Sequence, residues 1–294
     1  MKKIFICILS LLGILSLSLS CTDVVKVDLD QGQVLLVVDA WVNNIPGSQT
    51  IRLTTTSPYF SETNTPPVSG ASVSINDLNN NKTYTFSDAG NGNYVFTPTG
   101  FDTLAIINHQ YKLNITWQGY DYNSFATLNR TTKIDSIAWL QASNQPNQNG
   151  GLYPYIIAKD APGEKDFYWI KAYQNNKYFY NSSAINVCED AGGGDGTDGL
   201  YFIPPNAFFQ VTPGDKPYHE KDTCRIEIHS ISKSAFDFWM QAQNQINNSQ
   251  DGLFANTPEN IKTNIGVVTS GAPKALGWFN MAAVSSFTSY AKKP

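Results

Sequence analysis

The chain has 294 residues, of which 15% are charged, and its formal net charge is −4. Such a mildly acidic chain lacks the basic surface of a nucleic-acid-binding protein, so we expect no nucleic acid partner. Hydrophobic residues make up 41% and aromatic residues 13% of the chain, which excludes an intrinsically disordered protein.

The first elements along the chain are export signals. Lys2 and Lys3 precede an apolar run over residues 4–17 and small residues at 18–20, which predicts a signal peptide over residues 1–20. The apolar run is too short to span a bilayer of about 30 Å. Cys21 follows directly, as in the bacterial lipobox, although Ser18 stands where that motif usually has leucine. We therefore predict Cys21 as the lipid attachment residue of an outer-membrane lipoprotein, with a plain secreted protein as the alternative.

Two β-rich domains are predicted after a lipidated tether at residues 21–33. Short apolar or alternating runs separated by Asn- and Gly-rich turns fill residues 34–130, which favours an immunoglobulin-like β-sandwich. Residues 131–294 contain further strands and one helix near 232–247, where apolar residues recur at helical spacing after a capping serine. The expected fold class is mainly β, with this helix packed on the second sheet.

Two cysteines remain once Cys7 leaves with the signal peptide and Cys21 carries lipid. In an oxidising compartment we expect Cys188 and Cys224 to form a disulfide. His219 and His229 flank Cys224, so a metal site is the alternative.

The segment "CEDAGGGDGTDGLYF" (188–202) combines acids with glycines that let the backbone fold around a cation. Calcium prefers such oxygen ligands, and we predict a weak calcium site formed by Asp190, Asp195 and Asp198. The spacing matches no known calcium loop. A flexible hairpin tip that is kept soluble by its acids is the alternative.

Surface sites are suggested by short patterns only. Tyr59 and Phe60 lie in a Pro/Thr-rich loop and are candidates for ligand or partner contact. Thr103 and Ser136 stand in tripeptides that resemble the O-glycosylation acceptor of exported Bacteroidota proteins. Most of the six tryptophans are expected in the core.

Catalysis has little support in the sequence. No G-x-S-x-G or H-E-x-x-H motif occurs, and His109, His219 and His229 occur at separate places in the chain. We expect a protein without enzymatic activity and without a cofactor, apart from the calcium prediction.

The chain resembles the Bacteroidota lipoprotein family called domain of unknown function 4249. The resemblance rests on "LVVDAWV", "IRLTTTSPYF", "GNYVFTP", "DAPGEKDFYWIKAY", "IHSISKSAFDFW" and "ALGWFNMAAVSS", in this order. Because such proteins are commonly encoded beside TonB-dependent receptors, the resemblance implies a non-enzymatic accessory of such a receptor in ligand capture or gating. It would face the cell surface or the periplasm. A surface glycan-binding or adhesion lipoprotein is the alternative.

Overall fold

The described part of the chain folds mainly into β-strands, as predicted. The computed structural model describes residues 32–57, 65–99, 104, 106–143, 149–179, 185–190, 198–201, 216–248 and 261–294. Its elements are β1 Leu36–Asn43, β2 Gln49–Thr55, β3 Ser72–Asp77, β4 Lys82–Asp88, β5 Asn93–Phe96, β6 Gln110–Trp117, β7 Tyr120–Thr127, β8 Ile134–Ala142, β9 Gly151–Ala158, β10 Phe167–Gln174, β11 Lys177–Tyr178, β12 Asn186–Glu189, β13 Thr223–Ile231, helix α1 Lys233–Asn248, β14 Gly266–Val267, β15 Leu276–Ala282 and β16 Val284–Tyr290.

Nine strands form the first sheet, in the order β14-β7-β6-β3-β4-β5-β2-β1-β15. Alternate residues of β1 through β7 and of β15 point into one hydrophobic core, and β7 contacts β15. The sheet therefore curls around this core. An immunoglobulin-like sandwich has two separate facing sheets, whereas these strands form a single hydrogen-bonded series. The mainly β prediction is confirmed, and its immunoglobulin-like detail is not.

The first sheet is completed by residues from the far end of the sequence. β15 pairs in parallel with β1, from Val37 opposite Leu276 to Asn43 opposite Ala282, and β14 pairs with β7. Residues 34–294 accordingly form one compact unit. The predicted division at residue 130 follows the order of strands along the chain, but the first sheet takes strands from both sides of it.

The second sheet has five strands, in the order β11-β10-β13-β16 with β12 also paired to β10. One face packs on the β8–β9 hairpin around Tyr168, Ile226 and Ile228. The opposite face carries Trp169 and Ile231, which pack with α1 and with Trp278 of β15. The second sheet thus lies between the hairpin on one side and the helix and first sheet on the other.

Helix α1 begins where the sequence predicts and packs on the second sheet, as expected. Ser232 caps it, because its hydroxyl accepts the Ala235 N–H at 3.1 Å, and Lys233 pairs with Asp237 one turn later. Ala235 and Ala242 are buried against the protein, whereas the apolar side chains of Met240 and Ile246 are exposed. Among the described residues, no helix has the length and apolar character needed to cross a bilayer.

The predicted disulfide is wrong for this structure, in which Cys188 and Cys224 are both free and buried. Cys188 is on β12 and Cys224 is on β13, and these strands pair with opposite edges of β10. Cys188 lies beside Tyr168, whereas Cys224 lies beside Gln174. Six residues along a strand and two interstrand spacings separate their Cα atoms by roughly 20 Å, whereas a disulfide needs less than about 7 Å. Burial raises the pKa of Cys224 to about 11, so its thiol stays protonated and unreactive at neutral pH.

Candidate functional site: a charged cleft beside buried carboxylates

A cleft of about 720 Å³ opens where three parts of the fold meet. Residues 129–130 after β7 form one wall together with Asn108, loop 162–167 before β10 forms the second, and residues 231–233 at the start of α1 form the third. The three walls adjoin β7, β10 and α1. Each of these elements is held in place by side chains that are buried in a hydrophobic cluster. The cleft is therefore preformed by the scaffold, and its volume lies within the range of small-ligand sites.

Charged side chains around the cleft are already arranged in pairs. Lys165 Nζ lies 2.7 Å from a carboxylate oxygen of Glu189, and Lys233 Nζ lies 2.8 Å from Asp237. Both lysines are exposed, so these contacts are readily exchanged for contacts with a ligand. The cleft thus offers two exchangeable ammonium groups next to the more firmly held Arg130.

Arg130 fixes the loop that forms the second wall. Its Nε donates to Asp166 Oδ2 at 2.8 Å, and its Nη1 donates to the Pro162 carbonyl at 3.0 Å. Its Nη2 donates to the carbonyls of Ala161 at 2.8 Å and Glu164 at 3.2 Å. Since one rigid guanidinium makes all four bonds, the loop has little freedom to move away from residue 130.

Three carboxylates, Asp160, Asp166 and Asp190, converge behind this wall. Oxygen atoms from the three side chains lie within 4.8 Å of one another, and Asp160 and Asp166 are only 7% and 8% exposed. Asp160 follows β9, Asp166 precedes β10 and Asp190 follows β12. Because β10 pairs antiparallel with β12, the start of one strand lies beside the end of the other, and the short β9–β10 loop brings in Asp160.

Electrostatically, this carboxylate cluster carries more negative charge than its neighbours neutralise. Burial raises the pKa of Asp160 and of Asp166, and in both cases the nearby carboxylates act in the same direction. For Asp166 the hydrogen bond and positive charge of Arg130 oppose this effect without cancelling it. A single guanidinium therefore faces three acids, and the cluster favours either a proton or a further cation.

Of the acidic residues that the sequence predicts as calcium ligands, only Asp190 belongs to the carboxylate cluster of the described residues. Asp198 is exposed and accepts the Gly163 N–H at 2.9 Å. Sequence analysis missed Asp160 and Asp166. Their signal was "KDAPGEKDF", in which two aspartates bracket a Pro/Gly turn between apolar runs.

Of the other predicted site residues, Ser136 lies half-buried on β8 at an irregularity in its pairing with β9. Those that fall outside the described residues are Cys21, Tyr59, Phe60, Thr103 and Asp195.

A second polar group is enclosed between the two sheets. His229 and Glu227 of β13 are almost fully buried, and Nε2 of the histidine lies 2.9 Å from Oε2 of the glutamate. Arg225 and the Tyr173 hydroxyl also bond Glu227. Burial lowers the pKa of His229 well below its usual range, and the charges of Lys171 and Arg225 act in the same direction. The ring is therefore neutral and donates its Nε2–H to Glu227, despite the nearness of that carboxylate.

This neutral histidine predicts acid sensitivity. Below about pH 6.5 the unfolded chain binds a proton on His229 that the folded protein excludes, so stability is lost as the pH falls. From pH 6.5 to pH 5 the free energy of unfolding should decrease by at most about 1.6 kcal/mol through this residue alone. Urea denaturation across this interval measures the slope.

The variant His229→Gln should flatten the slope, because the unfolded chain then has no proton to bind at this position. Equal slopes in wild type and His229→Gln would contradict the assignment.

The tryptophan side chains lie in or against the hydrophobic clusters, as expected for most of them. Trp41, Trp169 and Trp239 pack on one another with ring centroids 4.5 to 5.2 Å apart, and Phe238 lies 4.9 Å from Trp278. Trp139 lies in the core under the β8–β9 hairpin, and Trp117 packs against the first core. Rings stacked on one another leave few aromatic faces for a sugar or peptide.

A search of curated proteins finds no match. The family described as "Domain of unknown function (DUF4249)" matches residues 22–288, which include the cleft walls, the carboxylate cluster and all but the last two residues of the two sheets. The protein belongs to this family.

Proposed function

We propose that this protein is a lipid-anchored outer-membrane protein that captures a ligand as a non-enzymatic accessory of a TonB-dependent receptor. Cys21 supports the anchor, because a lone cysteine directly follows a signal-like segment. The receptor partner is supported by the family resemblance. The single structural observation that carries ligand capture is the preformed cleft of about 720 Å³.

The chemistry of the cleft favours a small polar or anionic ligand. Lys165 and Lys233 stand on different walls, and both are exposed. Lys233 is also the first residue of α1, whose N-terminus carries partial positive charge. A ligand with two separated acceptor groups would thus contact both walls at once.

The test is affinity purification of the lipidated protein from native outer membranes after mild crosslinking. We expect a TonB-dependent receptor to co-purify with wild type, and Cys21→Ser to lose the membrane fraction. Lys233→Glu should reduce receptor-coupled ligand uptake several-fold, because it reverses charge in the cleft. Lys274→Glu is the matched control, since Lys274 is exposed and does not line the cleft.

Two outcomes would contradict the proposal. Wild type that enriches no receptor would exclude the accessory role. Purified protein that binds polysaccharide without a partner would favour the alternative, a surface glycan-binding or adhesion lipoprotein.

A further inference from the structure

The carboxylate cluster has the dimensions of a cation site. Asp160, Asp166 and Asp190 each offer an oxygen within 4.8 Å of the others. Oxygens on opposite sides of one calcium ion, at about 2.4 Å each, lie at most about 5 Å apart. A single ion can therefore contact all three carboxylates with only small adjustments.

A second observation concerns the oxygens that have no donor. Asp160 Oδ2 accepts the Gly199 N–H at 3.1 Å, and Asp190 Oδ2 accepts the Asp166 N–H at 2.7 Å. The other oxygen of each side chain, Oδ1, is shielded from solvent and has no hydrogen-bond partner among the described residues. Asp160 as a whole is 93% buried, being only 7% exposed. A buried carboxylate oxygen without a partner is unfavourable and needs an explanation.

The geometry points to a divalent cation, calcium by its chemistry, bound by Asp160, Asp166 and Asp190. The ligand set contains only carboxylate oxygens, which suits a hard cation and lacks the histidine or cysteine that zinc prefers. Calcium also accepts irregular geometry and completes its shell with water or carbonyl oxygens, whereas magnesium demands a near-ideal octahedron.

The cation would also explain how the surrounding structure is arranged. Arg130 neutralises Asp166 from the cleft side, and Asp160 and Asp190 lack a comparable cation among the described residues. A bound ion would join the ends of β9, β10 and β12, and it would hold Asp190 at the entrance to the acidic loop. The site therefore stabilises one wall of the cleft and does not depend on which ligand or receptor the protein serves.

The experiment uses the mature chain, purified and freed of metal with a chelator. Calorimetric titration with calcium chloride measures binding directly, and we expect one site with a dissociation constant between about 10⁻⁵ and 10⁻³ M. Saturating calcium should raise the melting temperature by several degrees, whereas sodium chloride at equal ionic strength should not. Terbium is a second probe. The charges of all three carboxylates raise the pKa of Tyr168, so this tyrosine lies near the cluster and can sensitise the emission of a terbium ion bound there.

Asp160→Asn and Asp190→Asn should each weaken calcium and terbium binding at least tenfold. Asp237→Asn is the matched control, since Asp237 is an acid on the surface of α1 and should leave both signals unchanged. Circular dichroism verifies that each variant is folded.

Wild type that binds neither ion would overturn the inference and would leave a shared proton as the explanation of the cluster. Wild-type binding that persists in folded Asp160→Asn and Asp190→Asn would place the ion elsewhere and would also overturn it. Calcium binding and receptor recruitment are measured in separate experiments. The calcium site can therefore be disproved while the proposed function stands, and the reverse also holds.

Discussion

Replacement of Gly277 by alanine should lower the free energy of unfolding by at least about 3 kcal/mol. Gly277 lies in β15 opposite Val38 of β1, with a φ of +97° that side-chain-bearing residues rarely adopt. A Cβ atom at this position would overlap the carbonyl oxygen of Val38. Because a backbone carbonyl in a paired strand cannot rotate away, the β1–β15 pairing must shift. Urea denaturation measures the loss.

Gly271→Ala is the matched control. Gly271 also has positive φ, at +79°, but an added Cβ would meet no atom within 4 Å. Its replacement should therefore show only the conformational effect, about 1 kcal/mol. If Gly277→Ala were no more destabilising than Gly271→Ala, the close approach of the two strands would be disproved.

Replacement of Arg130 by methionine should lower the free energy of unfolding by about 3 kcal/mol. The change leaves the buried Asp166 carboxylate without its cation and removes the bonds to three carbonyls of the loop. We expect the lower end of the range known for broken buried pairs, because the Arg130 side chain is 32% exposed. Denaturation measures the loss, and amide exchange of residues 161–166 should rise with it.

Arg52→Met serves as the control for removing an arginine. Arg52 is exposed on β2, so its loss should change stability by no more than about 0.5 kcal/mol. An Arg130→Met protein as stable as Arg52→Met would mean that the Asp166 carboxylate is neutralised in another way, for example by protonation.

Strand positions were largely predictable because local chemistry determines them. Short strands separated by Asn- and Gly-rich turns were predicted over residues 34–130, and β6 and β7 pair there around the turn at Gly119. Asn175 and Asn176 form a turn of similar chemistry between β10 and β11, and both have positive φ. Pro154 stands inside β9, although proline is rare within paired strands. It is tolerated there because β8 is the only strand among the described residues that pairs with β9 at this position, so the missing N–H breaks no central ladder.

Contacts between distant segments were less predictable. The register in which two such strands pair depends on the packing of the whole fold, and neither strand's own sequence determines it. The disulfide prediction counted Cys188 and Cys224 and assumed that they meet, but register separates them along β10. The same pairing brings Asp190 beside Asp166, which a search within one glycine-rich loop could not find. The carboxylate cluster therefore depends on the pairing of β10 with β12, which the sequence does not specify.

The parallel pairing of β1 with β15 has a consequence for how the chain matures. β1 is the first strand along the described part of the chain, and its partner comes from nearly the other end of the sequence. Until that partner arrives, the edge of β1 has unpaired backbone groups that can bind another chain. Contacts between such distant segments also slow folding. Protection of this edge until β15 is present is therefore a requirement of the topology, and newly made chains are expected to depend on a chaperone that covers it.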